Sequence, residues 1–284
     1  MFIHYADGEF TENPKIETSD LGLTRGYGVF DYARLYQGKP FHLTDHLKRL
    51  LWSAEQIGLE LTTTLEDLLE LTQALIEKNP PIDAGIRFLI TGGEPQENHL
   101  LAKGDPKLLM LFQPYTPPPH RYYKEGMRLC TTNNLRILPS VKTTNYMPAI
   151  FGMKKAKEMG FDDALYVNGA DEILEATTSN VFFFKKETLI TPDADIVKGV
   201  TRSIFLELAK EEFPIECRTI HHDEIKDCDE AFLTSSIKGG IPLVQVDDQT
   251  IGKGLPGPYT RLLCEKFEQY LTATPKLILE SRCV

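Results

Sequence analysis

What this chain lacks narrows its class first. Across 284 residues no apolar stretch approaches the ~20 residues that a membrane span requires. The amino-terminal "MFIHYADGEF" has no basic segment followed by an apolar run, so no secretory leader and no membrane partner are expected. The five cysteines, Cys130, Cys217, Cys228, Cys264 and Cys283, are scattered, odd in number and without CxxC spacing. That pattern argues against a disulfide framework and a zinc site, so no metal is expected, and it fits a reducing cytoplasm. An excess of cations is missing too. The formal net charge is −10, and phosphate neutralisation needs clustered Lys and Arg, so nucleic acid is not an expected partner. Internal repeats and low-complexity tracts are absent.

What is present reads as a soluble α+β protein, long enough for one large domain or two modest ones. Strand character covers 2–10 and 28–36. In "YGVFDYARLY" alternation places Phe30, Tyr32 and Arg34 on one face and Val29, Asp31 and Ala33 on the other. "HLTDHLKRLLWSAEQIGLEL" reads as an amphipathic helix capped near Thr44, with Leu47, Leu50, Leu51, Ala54 and Ile57 inward. A second helix runs through "TLEDLLELTQALIEKN", and the strands "GIRFLIT" and "KLLMLFQPY" follow. The proline-rich "PYTPPPHRYY" suggests a linker at 116–121 between a small domain, 1–115, and a larger one, 122–284. In the larger part "MRLCTTN", "DALYVN", "NVFFFKK" and "TLIT" are short strands, and helices are expected at 147–159, 202–212 and 257–270. A cleft between two such domains is a usual place for a ligand.

The residues that can do chemistry are spread along the chain. Lys142, in "SVKTTNYMPAIFGMKKAKEMG", stands just before a predicted helix, where its amine can enter a cleft and form a Schiff base. Most lysines are simply solvated, so Lys142 needs the rest of a pyridoxal phosphate site beside it: an acid for the ring nitrogen and a phosphate cup. Glu175 in "DEILEATTSNVFFF" is the acid candidate, and a plain turn between strands is its alternative. In "IVKGVTRSIFLELAK" the N–H groups of Val200 and Thr201 open a helix and make an anion site. The alternative there is that Thr201 is only a cap. Ser235 and Ser236, in "FLTSSIKGGIPL", offer further donors to the same phosphate. Arg49 in "HLKRL" can complete the charge pairing, although an arginine on an amphipathic helix is usually solvated.

Taken in order, "GYGVFDYAR", "HLKRL", "VKTTNY", "EATTSNVFFF", "KGVTR" and "FLTSS" form a set far more specific than any member. The set resembles the fold-type IV, or class IV, aminotransferases, which include D-amino-acid transaminases, branched-chain transaminases and aminodeoxychorismate lyase, and it covers essentially the whole chain. The resemblance implies an α+β, two-domain pyridoxal 5'-phosphate enzyme with a small N-terminal α/β domain and a larger C-terminal β-barrel-like α+β domain. It implies that Lys142 is the Schiff-base lysine and the acid/base that moves the proton between Cα and the cofactor's C4′. It further implies Glu175 at the ring nitrogen, Asn180 as the asparagine of the acid motif, and Arg49, Val200, Thr201 and Ser236 around the phosphate. A homodimer is also implied, with the Arg25 loop near the neighbouring active site.

Departures from the family pattern bear on the substrate. Where the D-amino-acid transaminases carry a tyrosine on the early strand this chain has Phe30, and the loop "GGEPQENHLLAKG" holds His99 but no arginine. Arg87 and Arg25 are the candidate replacements for the carboxylate site, Arg25 in cis or in trans. A structural ion pair for Arg87 and a solvated loop for Arg25 are the alternatives. Tyr32 replaces the glycine of the branched-chain "VFEGIR" and would intrude on a bulky side-chain pocket. Ala33 and Arg34 match the lyase, which carries a threonine where Tyr32 stands. "SSIKGGIP" differs from the common "TAAEITP". The expected activity is transfer of an amino group from a D-amino acid to 2-oxoglutarate or pyruvate, with Arg25, Phe30, Tyr32, Arg34 and Arg87 on the substrate side. The lyase, a branched-chain L-amino-acid transaminase and a non-catalytic cofactor-binding protein are the alternatives.

Overall fold

The computed structural model describes residues 1–97 and 99–273, so Cys283 and the end of the expected larger domain lie outside the described residues. The chain divides into two compact units, and the segment Val141–Asn145 belongs with the first rather than with its sequence neighbours.

The first unit contains β1 (His4–Ala6), β2 (Glu9–Thr11), α1 (Leu21–Arg25), β3 (Gly28–Tyr36), β4 (Lys39–Pro40), α2 (Leu43–Gln56), α3 (Leu65–Glu77), β5 (Ala84–Thr91) and β6 (Lys107–Pro114). Its sheet has the order β2-β1-β6-β5-β3-β4. The strand expected over 2–10 is thus two strands, because Asp7 and Gly8 both take positive φ and turn the chain. Strand β3 follows the expected alternation: Val29, Ala33 and Leu35 enter a core shared with Leu43, Leu47, Leu50 and Ala54 of α2. Burying that many aliphatic side chains, at roughly 1.5–3 kcal/mol each, is what fastens α2 to the sheet. Thr44 does not cap α2. The cap position is His42, in the left-handed region, whose side chain makes no capping bond to the backbone but meets Asp45 at 2.7 Å. Leu51 and Ile57 are only partly buried, whereas His46 and Ser53 are buried. Helix α3 is closed by a reciprocal box in which Thr64 and Asp67 satisfy each other's backbone N–H groups.

The second unit contains α4 (His120–Glu125), β7 (Met127–Thr132), α5 (Met147–Met159), β8 (Asp163–Val167), β9 (Glu172–Ala176), β10 (Asn180–Lys185), β11 (Thr188–Thr191), α6 (Val200–Ala209), β12 (Ile215–Cys217), β13 (Ile220–His221), β14 (Glu230–Ser235), β15 (Gly239–Val246), β16 (Gln249–Thr250) and α7 (Pro258–Ala273). Its sheet runs β12-β11-β10-β14-β15-β7-β8-β9-β13, with β16 on β15. "NVFFFK" is buried on both faces. Val181 and Phe183 face one core cluster, while Phe182 stacks on Phe232 at 4.7 Å between centroids. The stretch around Glu175, open to a reading as a turn, is strand β9, with Glu175 next to last. Part of the expected linker is helical, since α4 starts at His120. Among the described residues no helix is long and apolar enough to cross a membrane.

Candidate active site

In the first unit the backbone places Lys142 against β3. The Phe30 N–H donates to the Lys142 carbonyl at 2.9 Å, and Thr143 bridges to Val29. The Lys142 N–H lies 3.4 Å from the Ser53 hydroxyl of α2. The side chain is half-buried, with Nζ 4.5 Å from the Phe30 ring centroid, and the Arg87 guanidinium approaches the same ring at 5.7 Å. Lys142, Phe30 and Arg87 therefore meet. Tyr32 pairs in register with Arg87 across β3 and β5. Burial pushes its phenol up, against the pull of Arg34 and Arg87. Gly85 makes room for that ring: a Cβ there would lie 2.0 Å from the Tyr32 hydroxyl.

The other two arginines on the expected substrate side sit differently. Arg34 is buried, pairs with Asp83 at 3.2 Å and stacks on the rings of Tyr36 and Tyr115. Arg25 is not in a loop but ends α1, exposed, with Nη1 donating to its neighbour's carbonyl at 2.8 Å. Arg49 is held by a residue that alternation placed on the face of Val29 and Ala33 without giving it a role. Asp31, fully buried, accepts from Arg49 Nε and Nη2, both at 2.8 Å, and lies 2.7 Å from His46 Nδ1. Burial opposes the charged carboxylate, but Arg49 and His46 outweigh it and hold Asp31 well below the usual carboxylate range.

The second unit assembles the acid and the anion site. Glu175 is buried and pairs with Arg136 at 2.7 Å. Its other oxygen accepts from Asn180 Nδ2 and the Val197 N–H, each at 3.2 Å. Asn180 also donates to the Val197 carbonyl at 2.8 Å, which ties β10 to the turn before α6. A glycine is needed at 199, because a Cβ would stand 2.2 Å from the Asn180 side-chain oxygen. Gly199 is the N-cap of α6 and contributes no side-chain bond, so Thr201 lies in the first turn rather than at the cap. A first turn without a side-chain cap suits an anion. Ser235 ends β14, its hydroxyl accepting from the Lys238 N–H at 3.2 Å, and Ser236 follows in the turn.

A cleft of about 170 Å³ lies beside Glu175, walled by Arg136, Tyr166, Leu174 and Asp195 among others. The Tyr166 hydroxyl is buried there without a hydrogen-bond partner among the described residues, and burial pushes its phenol up, against the pull of Arg136. Sequence reasoning missed Arg136, Tyr166 and Val197. Arg136 and Val197 lie outside helices and strands, so no periodicity marked them. Asp31 did carry a signal, as a charge at an inward position of an apolar strand.

These features define the class. The family described as "Amino-transferase class IV" matches residues 28–246, and the chain belongs to it. Enzymes of this family depend on pyridoxal 5'-phosphate, and the residues found fit that group: a buried carboxylate beside an open cleft, and a helix N-terminus without a cap. Along almost its whole length the chain is 29% identical to the D-alanine aminotransferase of Staphylococcus epidermidis, covering 94% of this chain and 97% of that one. It superposes on the branched-chain aminotransferase of Thermoproteus uzoniensis, solved with norvaline, with a TM-score of 0.88 at 25% identity, covering 98% of this chain and 97% of the other. The branched-chain amino acid aminotransferase of Escherichia coli shares the fold with a TM-score of 0.86 at 22% identity, covering 100% of this chain and 97% of that one.

Proposed function

We propose that this aminotransferase takes its amino group from a D-amino acid and delivers it to a 2-oxo acid such as 2-oxoglutarate or pyruvate. The observation that carries the reading is the likeness to a D-alanine aminotransferase over 94% of the chain. Arg87 gives it a carboxylate site: half-buried, beside the Phe30 ring near the Lys142 amine, and among the described residues without a carboxylate partner. A planar guanidinium in that position grips a carboxylate by two parallel bonds. Arg25 is the second arginine of this reading.

When bound, pyridoxal 5'-phosphate supplies the electron sink that acidifies the substrate's Cα–H bond. Lys142 would attach the resting cofactor and, once displaced by substrate, take the proton from Cα and return it at C4′. Glu175, oriented by Arg136, Asn180 and the Val197 N–H, would hold a proton on the ring nitrogen. Val200, Thr201, Ser235, Ser236 and Arg49 would bind the phosphate. Phe30 and Tyr32 would wall the substrate, and Arg34 would support Tyr32 through the charge it places beside that phenol. A homodimer belongs to the same reading. Met147, Ile150 and Phe151 leave an exposed apolar face on α5, as self-association requires.

The test follows the visible band of bound cofactor while D-alanine, D-glutamate, L-leucine and L-glutamate are added separately. Loss of the band with the D-acids alone is expected. Loss with the L-acids alone would overturn the reading in favour of a branched-chain enzyme, which the likeness to the Thermoproteus protein at 25% identity favours as the second reading. Release of pyruvate and 4-aminobenzoate from aminodeoxychorismate without an amino acceptor would instead mark a lyase.

A further inference from the structure

The first unit holds two buried side chains, Asp31 and His46, that the proposed chemistry does not use directly. Asp31 has no exposed surface, and both oxygens of its carboxylate are engaged. Oδ2 takes Arg49 Nε at 2.8 Å, while Oδ1 takes Arg49 Nη2 at 2.8 Å, the Tyr32 N–H at 2.7 Å and His46 Nδ1 at 2.7 Å. Asp31 therefore cannot touch a ligand. It acts only through what it holds.

Two parallel bonds fix the plane of the Arg49 guanidinium as one bond cannot. His46, one helical turn before Arg49 on α2, meets the same carboxylate oxygen that takes Arg49 Nη2 and so adds a third side chain to the cluster. Burial pushes His46 below the ordinary imidazole value, against the pull of Asp31, which favours the neutral ring and leaves Asp31 and Arg49 as the charged pair. Burying such a pair costs desolvation that apolar side chains of similar size would avoid, so the pair adds little to the stability of the fold. Its presence is consistent with a need for orientation.

The same elements register Arg49 against Lys142. Ser53, one turn after Arg49 on α2, meets the Lys142 N–H, and Phe30, the residue before Asp31 on β3, bonds the Lys142 carbonyl. Helix and strand thus hold the lysine segment on one side and the arginine fork on the other.

We propose that Asp31 and His46 are positioning residues that lock Arg49 as an oxyanion clamp in fixed register with Lys142. The proposal rests on the reading of Arg49 as a phosphate ligand, and it predicts that the cluster governs recognition of the phosphate rather than of the ring.

The test compares binding of pyridoxal 5'-phosphate and of pyridoxal, which lacks the phosphate, to the full-length chain stripped of cofactor. A residue with a purely structural role would weaken both ligands alike and leave their affinity ratio unchanged. Asp31→Asn is expected to cut the ratio about tenfold, the value of one well-placed bond to a charged group. His46→Leu is expected to cut it less, and His46→Gln, which keeps a side-chain N–H donor, to restore it. An unchanged ratio in folded Asp31→Asn overturns the proposal. Should Asp31→Asn not fold, His46→Leu decides on the same criterion. Arg49→Met separates the two claims. If it leaves the ratio intact, the phosphate role of Arg49 itself fails; if it lowers the ratio while Asp31→Asn does not, only the positioning claim fails.

Discussion

Asp31 and Glu175 are two buried carboxylates, each facing an arginine, in different units of the chain. Asp31 is sealed: its partners are Arg49, His46 and a backbone N–H, and it has no exposed surface. Glu175 is held by Arg136, Asn180 and the Val197 N–H, yet it lines a cleft of about 170 Å³. The pairing chemistry is alike and the access is not. A carboxylate closed on all sides can only orient its neighbours, whereas one on the wall of a cleft can meet a ligand. Access, more than charge, separates support from chemistry.

The largest effects should come from removing each charge. Asp31→Asn leaves Arg49 in a buried setting without its anion and should cost about 3–5 kcal/mol of stability, read by denaturant unfolding. Glu175→Gln should cost less stability, because water can enter the cleft beside Arg136. It should lower kcat about 10²–10³-fold, as loss of a preorganised electrostatic group does. Equal stability losses in the two variants would break the comparison. Gly199→Ala comes next: its Cβ displaces the Asn180 side chain that holds Glu175, so kcat should fall while α6 itself, read by circular dichroism, persists.

A pH series sharpens the contrast further. Burial pushes His46 below its ordinary value of 6.5. The unfolded chain therefore binds that proton more readily than the folded one, and stability is lost as pH falls below about 6.5. Asp31, held well below the usual carboxylate range, adds a second loss below about pH 4, where the unfolded carboxyl protonates. His46→Gln should flatten the first limb of the melting temperature against pH and spare the second. Thr64→Ala is the smallest change. It opens the capping box of α3 and should cost about 1 kcal/mol without altering kcat, which makes it a control for loss of stability alone.

Much of the framework is legible in the sequence. Alternation in "YGVFDYARLY" gave the two faces of β3, and the helix expected over 147–159 has those bounds in the structure. Local pattern failed where a side chain chose a distant partner. Thr44 looked like a cap for α2, but the chain enters that helix through His42 in the left-handed region. Glu175 was open to being a turn residue and is on a strand, because Leu165 and Ala176 pair across β8 and β9.

The order of the motifs, their residue types and the periodicities of 2 and 3.6 belong to the sequence, since backbone geometry repeats locally and needs no distant partner. They were enough for the class of enzyme and for most of the residues proposed to act. Tertiary structure alone decided which arginine serves which carboxylate: Arg49 on Asp31, Arg136 on Glu175, Arg34 on Asp83, and Arg87 left facing Phe30. Spacing along a chain cannot assign such pairs, because the energy of an ion pair depends on separation and burial in space, and both arise only when distant segments pack.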